Sequence, residues 1–233
     1  MIAGLLVVLG LTAPPRPADD WRTWGAAYTD VPTQLGALLQ VTAPGRLTLR
    51  TGLGWMPAGY VALANAAATR LSDSYTDAQA DAVAAALEDS LVWQTTLGWQ
   101  PWAAWGVQFE VGYQLLTLGG SATGQDLIAI ATDTSTDDEP IADAFDISVT
   151  AHRLRVGLEY TWWLGADGAW SVAARLGAEL TLASRSAVDP AFGGFNPRRA
   201  RAFGDRAAAT LDDIIGQYLH YPTVGLAVGY RID

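Results

Sequence analysis

The chain has 233 residues, 50% of them apolar, and a formal charge of −10 from 24 acidic and 14 basic side chains. That is the length of one domain or one small barrel, and the charge argues against a nucleic-acid partner, whose phosphates need a basic surface. The absence of cysteine excludes disulfides, thiolate metal sites and a cysteine nucleophile.

Met1 to Leu11 reads MIAGLLVVLGL, which resembles the apolar region of a secretory signal peptide, without positive residues before it and with Pro and Arg crowding the cleavage region Ala13 to Ala18. Residues 1–18 are therefore read as a partial signal peptide. Beyond them no apolar run reaches the roughly 18 residues a membrane helix needs. Alternation at period two takes over, the mark of strands with two unlike faces. It is weak over Arg22 to Thr29 (Trp24, Ala26, Tyr28) and over Thr33 to Thr42. It is clear from Leu47 to Trp55, where Leu47, Leu49, Thr51, Leu53 and Trp55 oppose Thr48, Arg50, Gly52 and Gly54. The turn Ala43-Pro44-Gly45-Arg46 joins these last two segments.

A long connection, about residues 57–90, follows. Thr76 or Asp77 caps a predicted helix through Asp89, with Val83, Ala86 and Leu87 on one face. The next strand sets Leu91, Trp93, Thr95, Leu97 and Trp99 against Val92, Gln94, Thr96 and Gly98. After a short turn at 100–104, Trp105, Val107, Phe109, Val111, Tyr113 and Leu115 oppose Gly106, Gln108, Glu110, Gly112 and Gln114. A second long connection, about 119–146, holds the acidic run Asp133 to Glu139. Leu154, Val156, Leu158, Tyr160 and Trp162 then oppose Arg153, Arg155, Gly157, Glu159 and Thr161. Gly165 to Gly168 turns the chain into Trp170 to Leu182, whose polar face carries Arg175 and Glu179. The third long connection, about 183–221, has an apolar stripe at helical spacing from Phe203 to Tyr218 that suits packing on a barrel rim. The last strand sets Val224, Leu226, Val228, Tyr230 and Ile232 against Thr223, Gly225, Ala227, Gly229 and Arg231.

Seven strands are counted in this way, with the weaker Thr33 to Thr42 among them. An even number, which a bacterial single-chain barrel requires, is reached if Arg22 to Thr29 is the eighth; all short turns then share one rim. Two features point to a barrel in lipid. The polar faces carry Arg50, Glu110, Arg153, Arg155, Glu159, Arg175 and Glu179 among small residues, which suits a narrow lumen where buried charges must pair. The rings sort to two levels: Trp99, Trp102, Trp105, Tyr160, Trp162, Trp163, Trp170 and Tyr230 near the short turns, and Trp55, Trp93 and Tyr113 near the long connections, as in the girdles of membrane barrels.

This pattern over residues 33–232 resembles the small bacterial outer-membrane β-barrel proteins, the OmpA- and OmpX-like barrels. The closing strand Val224 to Asp233 looks like their terminal strand, although Asp233 stands where the family commonly has an aromatic residue. The resemblance implies an all-β, antiparallel up-and-down transmembrane barrel of about eight strands over residues 19–233, in the outer membrane of a Gram-negative cell. It further implies a monomer that contacts the bilayer and its outer-membrane lipids and meets extracellular partners through its loops. The role would be structural, adhesive or envelope-anchoring. A narrow porin-like channel and a soluble lipocalin-like barrel for an apolar ligand are the rival readings. No GxSxG, HExxH, P-loop or GxGxxG occurs, and Asp146, Ser148 and His152 lie too close in sequence to argue a triad, so no enzyme is expected. The Asp133 to Glu139 run lacks the glycine and spacing of an EF-hand, so neither metal nor cofactor is expected. Arg and Glu side chains fill an eight-stranded lumen, so little conductance is expected.

Overall fold

A strand with two unlike faces has to shelter one of them and leave no edge unpaired, and closing a sheet on itself does both. The computed structural model describes residues 21–71, 89–102, 105–122, 144–165, 168–191, 197–218 and 220–232. The signal-like segment, the predicted helix up to residue 88 and the acidic run Asp133 to Glu139 lie outside the described residues; Asp89 opens a strand. Eight strands follow one another around the barrel: β1 (Arg22–Val31), β2 (Gln34–Ala43), β3 (Leu47–Trp55), β4 (Asp89–Trp99), β5 (Val107–Ala122), β6 (Phe145–Leu164), β7 (Trp170–Pro190) and β8 (Tyr221–Arg231). All pairs are antiparallel, and the weak N-terminal segment closes the ring, from Trp24 opposite Arg231 to Val31 opposite Val224.

The short turns at one rim follow from their residues. Gly45 and Arg46 both have positive φ, 87° and 71°, the paired left-handed geometry whose twist matches a two-stranded ribbon. Arg46 then donates to the Pro101 carbonyl at 2.8 Å and so ties this turn to the next. At the opposite rim a tight turn at Pro32 and Thr33 accompanies the long connections.

Three strands run further than the alternation of apolar residues suggested. β5, β6 and β7 have 16, 20 and 21 residues, against 9 to 11 in the others, and form a wing that continues past the long-connection rim. The expected long connections from 119 and from 183 therefore begin as strand. The reason is a change of facing chemistry. Below the wing, Leu, Val and Trp face out and charges face in. On the wing, Phe145, Ile147, Val149 and Ala151 of β6 face in and are buried, whereas Asp146, Ser148, Thr150 and His152 face out. The β6–β7 register shifts between His152 and Arg153, so that Leu182 is the extra residue on β7. That bulge brings Ser184, Ser186 and Val188 to the inner face of β7 in place of Arg185 and Asp189.

Among the described residues, two helices stand at the same rim. α1 (Ala58–Leu71) starts one residue after Pro57 and lies where the sequence showed only a long connection; its alanines favour a helix but offer no stripe. α2 (Pro197–Tyr218) has the expected stripe. Its Phe203, Ala207, Leu211, Ile214 and Ile215 pack on Val92, Leu116, Leu118 and the inner wing residues, forming an apolar core above the charged interior. Ser186 donates to the Asp212 carboxylate at 2.8 Å, fixing the helix along β7. Gly204 is needed there, because a Cβ would collide with the Val188 carbonyl oxygen. Gly204→Val is therefore expected to push α2 off the wing, at a cost of about 1–3 kcal/mol. Trypsin should then cut after Arg201 and Arg206 much faster than in the parent, with the barrel strands still protected.

Candidate functional site

An Arg on an inward strand position brings its charge out of water, and only a nearby carboxylate offsets that cost. The interior meets this condition with a continuous series of alternating charges. Glu110 of β5 pairs with Arg50 of β3, and Arg50 also pairs with Glu159 of β6. Glu159 accepts from Arg175 Nε of β7 at 2.9 Å, and Arg175 approaches Asp30 of β1 at 3.7 Å. Arg155 holds both Asp30 oxygens, at 2.9 and 3.1 Å, and reaches Glu179 at 3.0 Å. Arg153 ends the series on Glu179 at 2.7 Å. Four arginines thus face four carboxylates with no net charge, and none of the eight side chains is more than 4% exposed.

Neutral groups fill the remaining positions. Tyr28 donates to Gln34 Oε1 at 2.8 Å, and Gln34 Nε2 donates to Gln94 Oε1 at 2.9 Å. Arg153 donates to Gln114 at 2.9 Å and to the Tyr221 hydroxyl at 2.7 Å. Inward glycines leave the room these side chains occupy; a Cβ on Gly225 would meet the Asp30 carboxylate. Two small cavities of about 40 and 20 Å³ lie at the short-turn half. Both touch Gln40, Thr161 and Trp163, and each has room for a few waters at most.

All seven lumen candidates, Arg50, Glu110, Arg153, Arg155, Glu159, Arg175 and Glu179, sit in this one network. Asp30 was missed. It lies one position beyond the segment taken as the first strand, on the parity of Trp24 and Tyr28. A charge count carried the signal: four arginines and three glutamates leave one positive charge without a partner.

Among the rings, Trp55, Trp93, Trp99, Trp102, Trp105, Trp170 and Tyr230 are well exposed on the outside. Trp93 meets Tyr113 edge-on, with centroids 6.0 Å apart, near the wing. Trp102 with Trp105, Tyr160 with Trp162, and Trp170 with Tyr230 pair at 5.6, 4.8 and 4.9 Å near the short turns. Trp163 differs from the expectation. It follows Trp162 on β6, so it faces inward, where it stacks against Trp24 at 4.6 Å. Phe109, which was not among the ring candidates, joins the outer cluster through Trp102.

His152 bonds through Nδ1 to the Tyr113 hydroxyl, and His220 Nδ1 accepts from the Thr181 amide at 3.0 Å. Among the described residues no group of three or more His, Asp or Glu is placed to hold a metal ion.

No family model and no curated protein matches the sequence. Among solved structures, the chain is similar to a major outer membrane protein of Thermus thermophilus, with 16% identity, a TM-score of 0.45, and 90% of this chain and 99% of that one covered. It is also similar to the N-terminal barrel domain of Pseudomonas aeruginosa OprF, with 9% identity, a TM-score of 0.39, and coverage of 92% and 98%. CarO2 of Acinetobacter baumannii gives 13% identity, a TM-score of 0.39, and coverage of 91% and 99%. At these values the role of the chain has to be argued from its own geometry.

Glu159 bridges two arginines, so removing its charge leaves Arg50 with Glu110 alone, Arg175 with the longer contact to Asp30, and the series with one uncompensated positive charge. Glu159→Gln is expected to lower the unfolding free energy by about 3–5 kcal/mol in urea titrations of the folded barrel. A loss below about 1 kcal/mol would mean the series is hydrated and contributes little.

Proposed function

We propose that the chain is an integral outer-membrane barrel with a closed interior, serving as a structural, adhesive or envelope-anchoring protein without a catalytic step. One observation carries this reading: the barrel is apolar outside and charged inside. Leu47, Leu49, Leu53, Leu97, Val111, Leu158, Leu176, Leu226 and Val228 face out and stay 44–62% exposed while eight charges are buried. In water that arrangement would forfeit the hydrophobic contribution to folding. In hydrocarbon it is the favoured one, and β1 to β4 and β8 have the 9 to 11 residues with which a tilted strand crosses. The ring clusters fit the two interfaces, with the short turns in the periplasm and the wing outside the cell. A closed sheet leaves no strand edge below the wing for a second copy, which favours a monomer.

The filled lumen favours an anchor over a channel. The charges neutralise one another in place, and the apolar core under α2 caps one end. A lipocalin-like role needs an apolar interior, which these charges replace.

Two measurements test the reading. The purified chain is expected to aggregate once detergent is removed; a soluble monomer without detergent would end the membrane assignment. In planar bilayers it is expected to show no large, stable conductance steps, and such steps would favour the channel. The facing can be examined separately. Val111→Arg, outward at mid-strand, should cost about 2–4 kcal/mol in vesicles. Ser148→Arg, outward on the wing and opposite Ala187 and Gly119, should stay within about 0.5 kcal/mol.

A further inference from the structure

The outer surface changes chemistry in layers where the wing begins. Leu154, Leu180 and Leu182 end the apolar surface, and Trp93 and Tyr113 stand at its margin. Directly above them come His152 and Thr150 of β6, Arg185 of β7 and Thr117 of β5. Thr150 is paired with Arg185 on one side and with Thr117 on the other, and His152 lies diagonal to Arg185. Diagonal neighbours of this kind are about 7–8 Å apart, within reach of long side chains. His152 and Arg185 are the only cationic residues on the outward face of the described strand residues. Arg185 is exposed and makes no ion pair among the described residues, whereas each lumen arginine is committed to carboxylates. On β6 and β7 the first outward carboxylates, Asp146 and Asp189, lie opposite one another and four residues beyond Thr150 and Arg185, about 14 Å further along the strands.

We propose that Arg185, His152 and Thr150 form a binding surface for the phosphate of a lipid in the leaflet on the wing side. The proposal rests on the outer-membrane reading, and the surface is continuous with the lipid-facing one below it. A phosphate group sits just outside the hydrocarbon, at the level of a cationic, hydroxyl-bearing row free of carboxylates. Arg185 supplies a two-pronged donor to its oxygens, Thr150 a hydroxyl, and His152 a ring edge held in place by Tyr113. Such a contact would fix the depth at which the wing leaves the bilayer.

The test uses the full chain, folded in maltoside micelles, with diphosphoryl lipid A as the probe. Melting followed by tryptophan fluorescence and lipid-bound mass by native mass spectrometry are the readouts. Lipid A is expected to raise the melting temperature of the parent and to remain bound. Arg185→Gln should melt like the parent without lipid but bind lipid A about tenfold more weakly, and Arg185→Lys should recover part of the loss. His152→Gln should weaken binding, and Asp189→Asn should not. Undiminished binding by Arg185→Gln overturns the proposal. So does an equal shift from an uncharged galactolipid, which would make the contact apolar only, or from inorganic phosphate, which would make it a site for a soluble anion. Failure of the outer-membrane reading itself would appear elsewhere, as a chain that stays soluble and monomeric without any detergent.

Discussion

Everything inside this barrel depends on the cost of keeping charge away from water. Eight acidic and basic side chains share the interior, none more than 4% exposed, and the charge of each would be untenable alone. The alternating order resolves this. Arg50, Arg175 and Arg155 each lie between two carboxylates, so no single pair has to offset a full desolvation penalty. The series also runs across the barrel rather than along one strand. It joins β3, β5, β6, β7 and β1, so it is complete only when the sheet is closed. The weakest strand of the sequence, β1, contributes Asp30, the carboxylate without which Arg155 and Arg175 would each lose a partner. Closure and charge balance are one condition seen from two sides.

The bulge at Leu182 lets the same three strands serve two solvents. Below it a strand needs apolar residues outside; above it, inside. Period two cannot make that change by itself, since continuing the chemistry would send Arg185 and Asp189 of β7 into the core under α2. One extra residue on β7 shifts the parity there, while β6 keeps its parity and changes composition instead, from Arg153 and Arg155 to Ala151, Val149 and Ile147. α2 completes the arrangement by supplying the apolar partner that lipid supplies lower down.

What the sequence disclosed follows the same logic. β3 and β4 were legible because each alternates strictly, with Leu and Trp on one face and Gly, Thr, Gln and Arg on the other. Trp170 to Leu182 was legible as far as Leu182, where the facing rule stops holding. β1 was faint because its large rings, Trp24 and Tyr28, point inward while Gly25, Ala27 and Thr29 on the other face are small; the bulk contrast is the reverse of a lipid-facing strand. Trp163 was misplaced because counting rings near a turn ignores parity, which already set it beside Thr161 and Glu159. α1 was invisible to a search for stripes, since an alanine-rich helix has no strong contrast between its faces.

A filled, neutral interior also bears on where specificity can reside. A pore selects by leaving charge wet and unpaired along its wall, and here the charged groups are already engaged with one another. The lipid-facing band selects for hydrocarbon thickness and little else. Among the described residues, the wing and the exposed face of α2 still have unspent interactions, with Arg185, Arg201 and Arg206 outside the paired network. Arginines are thus buried to hold the barrel shut, tie short turns together at one rim, as Arg46 does, and are set out on the wing and α2 at the other.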